Sequence, residues 1–162
     1  MDTKSLVSRA KKVMDNILYL TLATCDENNN PWNSPVYSAF NEKHTFYWVS
    51  WKENQHSKNI AKNGNVFAVI YDSSVPEGTG FGVYLKGKAR QLKVKDMAEI
   101  LNALKLMYSR KRKKIRSPKD FLGLLPRRIY KFEPENVWVN VDSEVKGSVV
   151  DSRVDITKDL LN

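Results

Sequence analysis

The chain has little sulfur or imidazole chemistry: one cysteine, Cys25, and two histidines, His44 and His56, in 162 residues. A single cysteine excludes an internal disulfide framework and any cysteine-based metal site. No basic residue flanks Cys25 to depress its pKa, so it reads as a small residue at a strand end rather than a reactive thiol. The two histidines lie in separate segments, His44 in a turn, and give no metal-ligand spacing; no metal is expected. Long apolar runs are missing too. None approaches the roughly 20 residues of a membrane span, and the opening Met1-Asp2-Thr3-Lys4 is polar rather than signal-like. A soluble, cytoplasmic protein is the expectation. A phosphate-loop pattern, a nucleophile elbow and an early dinucleotide glycine fingerprint are absent as well. Zinc hydrolase, P-loop NTPase and Rossmann dehydrogenase are therefore poorly supported.

Acidic residues are outnumbered, 18 against 27 lysines and arginines, which gives a formal charge of +9. That balance suits an anionic partner, whether a phosphorylated small molecule or nucleic acid. Much of the excess lies in Arg110, Lys111, Arg112, Lys113, Lys114 and Arg116. Such a run is usually a solvated face, and a nucleic-acid patch ranks below that reading.

Apolar residues at helical spacing, Leu6, Ala10, Val13, Met14 and Ile17, mark an amphipathic helix that Asp2 or Thr3 would cap. Strand-like segments follow at 17–24, 32–40, 45–51, 66–71 and 81–90, rich in β-branched and aromatic residues and bounded by turns. Asn41, Glu42 and Lys43 suggest a hairpin. A short helix fits 56–63, and a longer one starts near Asp96, with Asp96 and Glu99 spaced as a capping box. Its apolar stripe is Met97, Ile100, Leu101, Leu104, Met107 and Tyr108. Two last strands, 128–132 and 136–141, are separated by Glu133 and Pro134. Beyond Asp142 the pattern weakens, and residues 143–162 read as a peripheral tail with a short helix over 156–161. Seven short strands with two internal helices predict one mainly-β domain over 1–162, an antiparallel barrel with peripheral helices.

Two segments carry possible chemistry. Trp48-Val49-Ser50-Trp51 ends a strand, and a helix then opens on Gln55-His56-Ser57-Lys58. Free N–H groups at a helix start, the helix dipole, the Ser57 hydroxyl and the Lys58 ammonium together favour a phosphate; a plain helix cap is the alternative. The second segment holds Gly78, Gly80 and Gly82, alternating just before and within a strand. Alternating glycines clear one face for a flat ring or another backbone, or simply make a flexible bulged loop.

The order Tyr19-Leu20-Thr21-Leu22-Ala23-Thr24, then Pro31-Trp32-Asn33-Ser34-Pro35-Val36, then Phe46-Tyr47-Trp48-Val49-Ser50, then His56-Ser57-Lys58-Asn59-Ile60 resembles the pyridoxamine 5'-phosphate oxidase-like flavin-binding family. The stretch 76–89 with Gly87-Lys88-Ala89, and the strand pair near Pro134 and Val139, extend the likeness. It implies a six- to seven-stranded split β-barrel that forms a homodimer, with FMN in clefts between the subunits. By position, Asn33, Ser34, Pro35 and Val36 would run beside the isoalloxazine ring. Trp48, Val49 and Ser50 would meet the ring and ribityl chain. His56, Ser57 and Lys58 would hold the phosphate, and Gly80, Gly82 and Trp138 would approach from the partner subunit.

Four departures from the true oxidases stand out. Asn33 occupies the place of a phosphate-binding arginine, Ser38 that of a substrate lysine, and Gly82 that of a flavin-contacting glutamine. After Trp138 come Val139, Asn140, Val141 and Asp142, without the oxidases' arginine and histidine. The resemblance thus implies a flavin-dependent oxidoreductase acting on a small molecule other than pyridoxamine phosphate, with Tyr37 and Tyr84 as candidate substrate contacts. The alternative is a module that binds flavin or haem without turnover; a nucleic-acid-binding barrel is the least favoured.

Overall fold

The computed structural model describes residues 2–145 and 148–162. Helix α1 (Thr3–Asn16) leads into strands β1 (Tyr19–Cys25), β2 (Pro31–Tyr37), β3 (Ala39–Phe40) and β4 (Phe46–Trp51). Helix α2 (Gln55–Lys62), β5 (Asn65–Tyr71), β6 (Gly82–Gln91) and α3 (Met97–Arg110) follow. The chain closes with β7 (Arg127–Val145), β8 (Ser148–Asp155) and α4 (Thr157–Leu161). All strand pairs are antiparallel, in the order β2-β1-β5-β6-β7-β4-β3. Strands β2 and β3 stand at opposite ends of this order yet are separated in the chain only by Ser38. The sheet must therefore curl until its edges meet, which makes a barrel.

Alternation along the strands fills that barrel. Leu20 and Leu22, Val66, Ala68 and Ile70, Val83 and Leu85, Phe46 and Trp48, and Val137 and Val139 form one buried cluster. Each large apolar side chain so buried contributes about 2 kcal/mol. Helix α1 closes this core with Leu6, Val7, Ala10 and Met14, and the Asp2 carboxylate caps it by accepting from the Ser5 N–H at 2.8 Å. A second cluster lies outside the barrel wall, where Ile100, Ala103, Leu104 and Met107 of α3 pack on Ala39, Tyr47 and Ile129.

Several boundaries differ from the sequence reading. Among the described residues seven strands make the barrel path, as expected, and an eighth, β8, is added beside β7. The predicted second strand breaks at Ser38, and the two last strands are one continuous β7. Pro134 cannot donate to a ladder. Its neighbour Glu135 is bulged out between the pairs Lys86↔Asn136 and Gly87↔Pro134. The bulge brings the chains together so closely that a Cβ on Gly87 would lie 2.0 Å from the Glu133 carbonyl oxygen. Nor is the tail peripheral. Strand β8 pairs with β7 from Trp138↔Asp155 onward, and Ile156 and Leu160 enter the barrel core. Asp96 does not form a box with Glu99; its carboxylate accepts from the Lys93 N–H at 2.8 Å and pairs twice with Arg90, at 2.8 and 3.0 Å.

Candidate functional site

The barrel is open along one seam. Strand β2 pairs only with β1, and residues 48–51 of β4 pair only with β7, so one edge of each lacks a ladder partner among the described residues. These two free edges flank the chain's corner at Ser38 and leave backbone N–H and C=O groups without sheet bonds. Unpaired backbone groups in a crevice call for a ligand, water or side chain to satisfy them.

Helix α2 plugs the barrel end at this seam. On a helix, positions three and four apart share a face, and His56, Asn59 and Ile60 all turn inward. His56 bridges the two edges: its Nδ1 lies 3.1 Å from Ser34 Oγ on β2, and its Nε2 lies 2.7 Å from Ser50 Oγ on β4. Trp32 Nε1 donates to Ser34 at 3.1 Å and Asn54 Nδ2 donates to Ser50 at 2.9 Å, so each serine is held from both sides. Asn59 donates to Thr24 Oγ1 at 3.0 Å and receives Gln55 Nε2 at 2.7 Å. Burial pushes the His56 pKa below its ordinary value. The imidazole is therefore neutral at pH 7, with one nitrogen donating and the other accepting.

Ser57 is buried, with the Tyr130 hydroxyl beside it. Lys58 points the other way and is exposed, 3.6 Å from the Glu53 carboxylate. The N-cap residue Asn54 spends its side-chain amide on Ser50 and makes no cap bond. The first turn of α2 thus keeps its positive dipole end uncapped by any side chain.

The predicted site residues fall into two groups. Asn33, Ser34, Pro35 and Val36 lie on β2; Trp48, Val49 and Ser50 on β4; and His56, Ser57 and Lys58 on α2, so all ten belong to the three elements that border the seam. Within this group Trp48 offers only its backbone, because its indole is fully buried and stacked on Tyr130, ring centroids 5.6 Å apart. Val49 faces the α3 side and Val36 the core. The second group, Gly82, Tyr84 and Trp138, lies on β6 and β7, with Gly80 just before β6; β1 and β5 separate it from β2. Here Trp138 stacks on Phe67 and Arg153 lies 4.0 Å over the Tyr84 ring. Gly82 makes room for that ring, since a Cβ there would sit 3.1 Å from it, whereas a Cβ on Gly80 would meet open space. Tyr37 is far from Tyr84 in the sheet and packs edge-on against Tyr19 at 5.6 Å. A single barrel does not bring the two groups together.

Sequence reasoning missed Thr24, Trp32, Asn54 and Asn59, which hold the plug, as well as Tyr130 beside Ser57. The i, i+3 spacing of His56 and Asn59 was the available signal. It also misjudged one member of the basic run. Arg110 is no free cation: it donates to the carbonyls of Met14, Asp15 and Ile17 at 2.9, 3.0 and 2.8 Å, closing the C-terminal end of α1. Among the described residues no cluster of histidine, cysteine and carboxylates could hold a metal, and no helix is long and apolar enough to cross a membrane.

Comparison with known proteins agrees with this architecture. A UPF0306 protein of Pasteurella multocida is 31% identical over 85 residues, 51% of this chain and 57% of that protein. The chain thus spans little more than half the length of that curated relative. The haem storage protein HutZ of Vibrio cholerae superposes with a TM-score of 0.65 at 16% identity, covering 77% of this chain and 87% of the other. An FAD-binding protein of Mesorhizobium loti gives 0.60 at 15% identity, with 82% and 91% covered. At such identities the likeness is one of fold. The family model for pyridoxamine 5'-phosphate oxidase matches residues 7–140, and the chain belongs to that family.

Proposed function

We propose that the protein binds FMN along the seam and acts as a flavin-dependent oxidoreductase on a small molecule other than pyridoxamine phosphate. The observation that carries this reading is the pair of free strand edges, β2 and residues 48–51 of β4, beside an uncapped helix start. Free edges suit the hydrogen-bonding rim of a flat heterocycle, and the helix start suits its phosphate. The Ser57 hydroxyl, beside Tyr130, and the exposed Lys58 ammonium add a donor and a charge at the same helix end. When bound, the flavin supplies the redox chemistry; the chain's residues bind, orient and limit access. Because Gly82 and Tyr84 on β6 lie two strands away from β2, and Trp138 lies on β7 beyond the Arg127–Phe132 stretch that pairs with β4, they would serve the site of a second copy, which favours a homodimer with shared sites. Absorbance and mass spectrometry of the ligand released from purified protein test the reading. An oxidised-flavin spectrum with the mass of FMN supports it, and a colourless protein indifferent to added FMN refutes it.

A second reading, a cofactor carrier without turnover, is favoured by one feature. The histidine that bridges the seam, His56, is held neutral between two serines. The same bonds leave that imidazole no free nitrogen for an iron, so flavin suits the seam better than histidine-ligated haem. Bleaching of bound flavin by NADH or NADPH distinguishes the enzyme from the carrier.

A further inference from the structure

Trp51 is out of keeping with its strand. Phe46, Tyr47 and Trp48 on β4 are all buried, but the indole of Trp51 is 50% exposed. It forms one wall of a cleft of about 300 Å3, completed by Arg116, Asp120, Leu125, Pro126 and Arg127. The walls are fixed to each other. Trp51 pairs in register with Arg127, and the Lys52 N–H donates to the Pro126 carbonyl at 2.9 Å. The third wall, a 3-10 turn at Pro118–Phe121, is anchored by Phe121 in the α3 core. The cleft is open to solvent, but its walls are held in fixed relation by these bonds.

Its chemistry is an aromatic face with guanidinium groups at the rim. Arg127 lies 5.8 Å from the Trp51 ring centroid. The Arg116 guanidinium is oriented by Asp120 at 3.1 Å, which leaves two arginines against one carboxylate. An indole with open area stacks a nucleobase in a sequence-tolerant way, and arginine matches phosphate oxygens in geometry as well as charge. Leu125 and Pro126 give the base an apolar floor.

We propose that this cleft binds a purine nucleotide, with the base stacked on Trp51 and the phosphates on Arg116 and Arg127. The nucleotide is either free or the nucleotide half of a dinucleotide such as a flavin dinucleotide. The site lies on the opposite face of β4 from Ser50 and does not depend on the flavin reading. Titration calorimetry of the whole protein with ADP tests it, alongside FMN, FAD and a single-stranded oligonucleotide. Trp51→Leu and Arg127→Gln should each weaken ADP binding about tenfold or more, while Trp51→Phe retains most of it; Arg127→Gln, which lies outside the seam, should also leave FMN affinity unchanged. If FAD affinity falls with ADP affinity in these variants, the nucleotide belongs to a dinucleotide; if only ADP affinity falls, it binds free. Absence of ADP binding, ADP affinity unchanged in both variants, or binding of the oligonucleotide without ADP overturns the proposal. Because ADP carries no flavin, its failure leaves the FMN reading untouched, and a colourless protein leaves the cleft untouched.

Discussion

His56 Nε2 lies 2.7 Å from Ser50 Oγ while the other ring nitrogen reaches Ser34, so one imidazole spans the two strand edges that no ladder joins. The side chain stands in for missing sheet bonds. Replacing it by alanine removes both bonds, leaves Ser34 and Ser50 with only Trp32 and Asn54 as partners, opens a gap between the edges, and should destabilise the fold by about 2–4 kcal/mol in chemical denaturation. Ser34→Ala removes only one of the two bonds and should lower stability by about 1 kcal/mol.

The same residue sets a pH response. Burial holds the His56 pKa below its ordinary value of 6.5, and burial does the same for His44. Below that value the unfolded chain binds protons that the folded chain refuses, so stability is full above pH 6.5 and falls as pH drops toward the lowered folded values. Each histidine contributes a slope of up to about 1.4 kcal/mol per pH unit in that window. Denaturation midpoints of His56→Gln should show about half the wild-type slope between the ordinary and lowered values. An unchanged slope would mean His56 is not held neutral.

Arg110 is the member of the basic run that ties helix α1 to the fold. Arg110→Met removes three bonds to the carbonyls of α1 and should lower stability by about 2 kcal/mol. Neutralising the exposed Arg112 or Lys113 should change it by less than about 0.5 kcal/mol. Thermal melts of the three variants make the comparison.

Gly87→Ala forces a methyl group onto the Glu133 carbonyl across the bulge and should cost about 3 kcal/mol or more, or abolish folding. Gly80→Ala meets open space and should fold normally. Expression and melting of the pair decide whether the bulge is as tight as described.

Most of the barrel was legible in the sequence because alternation is strong where one strand face is buried, as in Leu20-Thr21-Leu22 and Val66-Phe67-Ala68. The failures have local causes. Pro134 reads as a break until Gly87 and the bulged Glu135 are seen to accommodate it. Strand β8 lacks the alternation of a half-buried strand, and only its pairing with β7 identifies it. At the candidate site, the residue types around α2 singled out His56, Ser57 and Lys58 in the sequence, whereas their directions depend on the helix phase. It turns His56 and Ser57 toward the barrel and leaves Lys58 alone facing out. Arg110 looked like part of a solvated run because its acceptors lie more than 90 positions away.

Titration of FMN into purified protein and its Lys58→Ala and Ser57→Ala/Lys58→Ala variants tests the flavin at the seam most directly. The wild type should take up one FMN per chain. Loss of the ammonium should weaken binding about tenfold, and loss of both groups should weaken it by about 2–5 kcal/mol, with the fold intact by circular dichroism. Failure of the wild type to bind FMN, or equal affinity in all three proteins, would contradict the account.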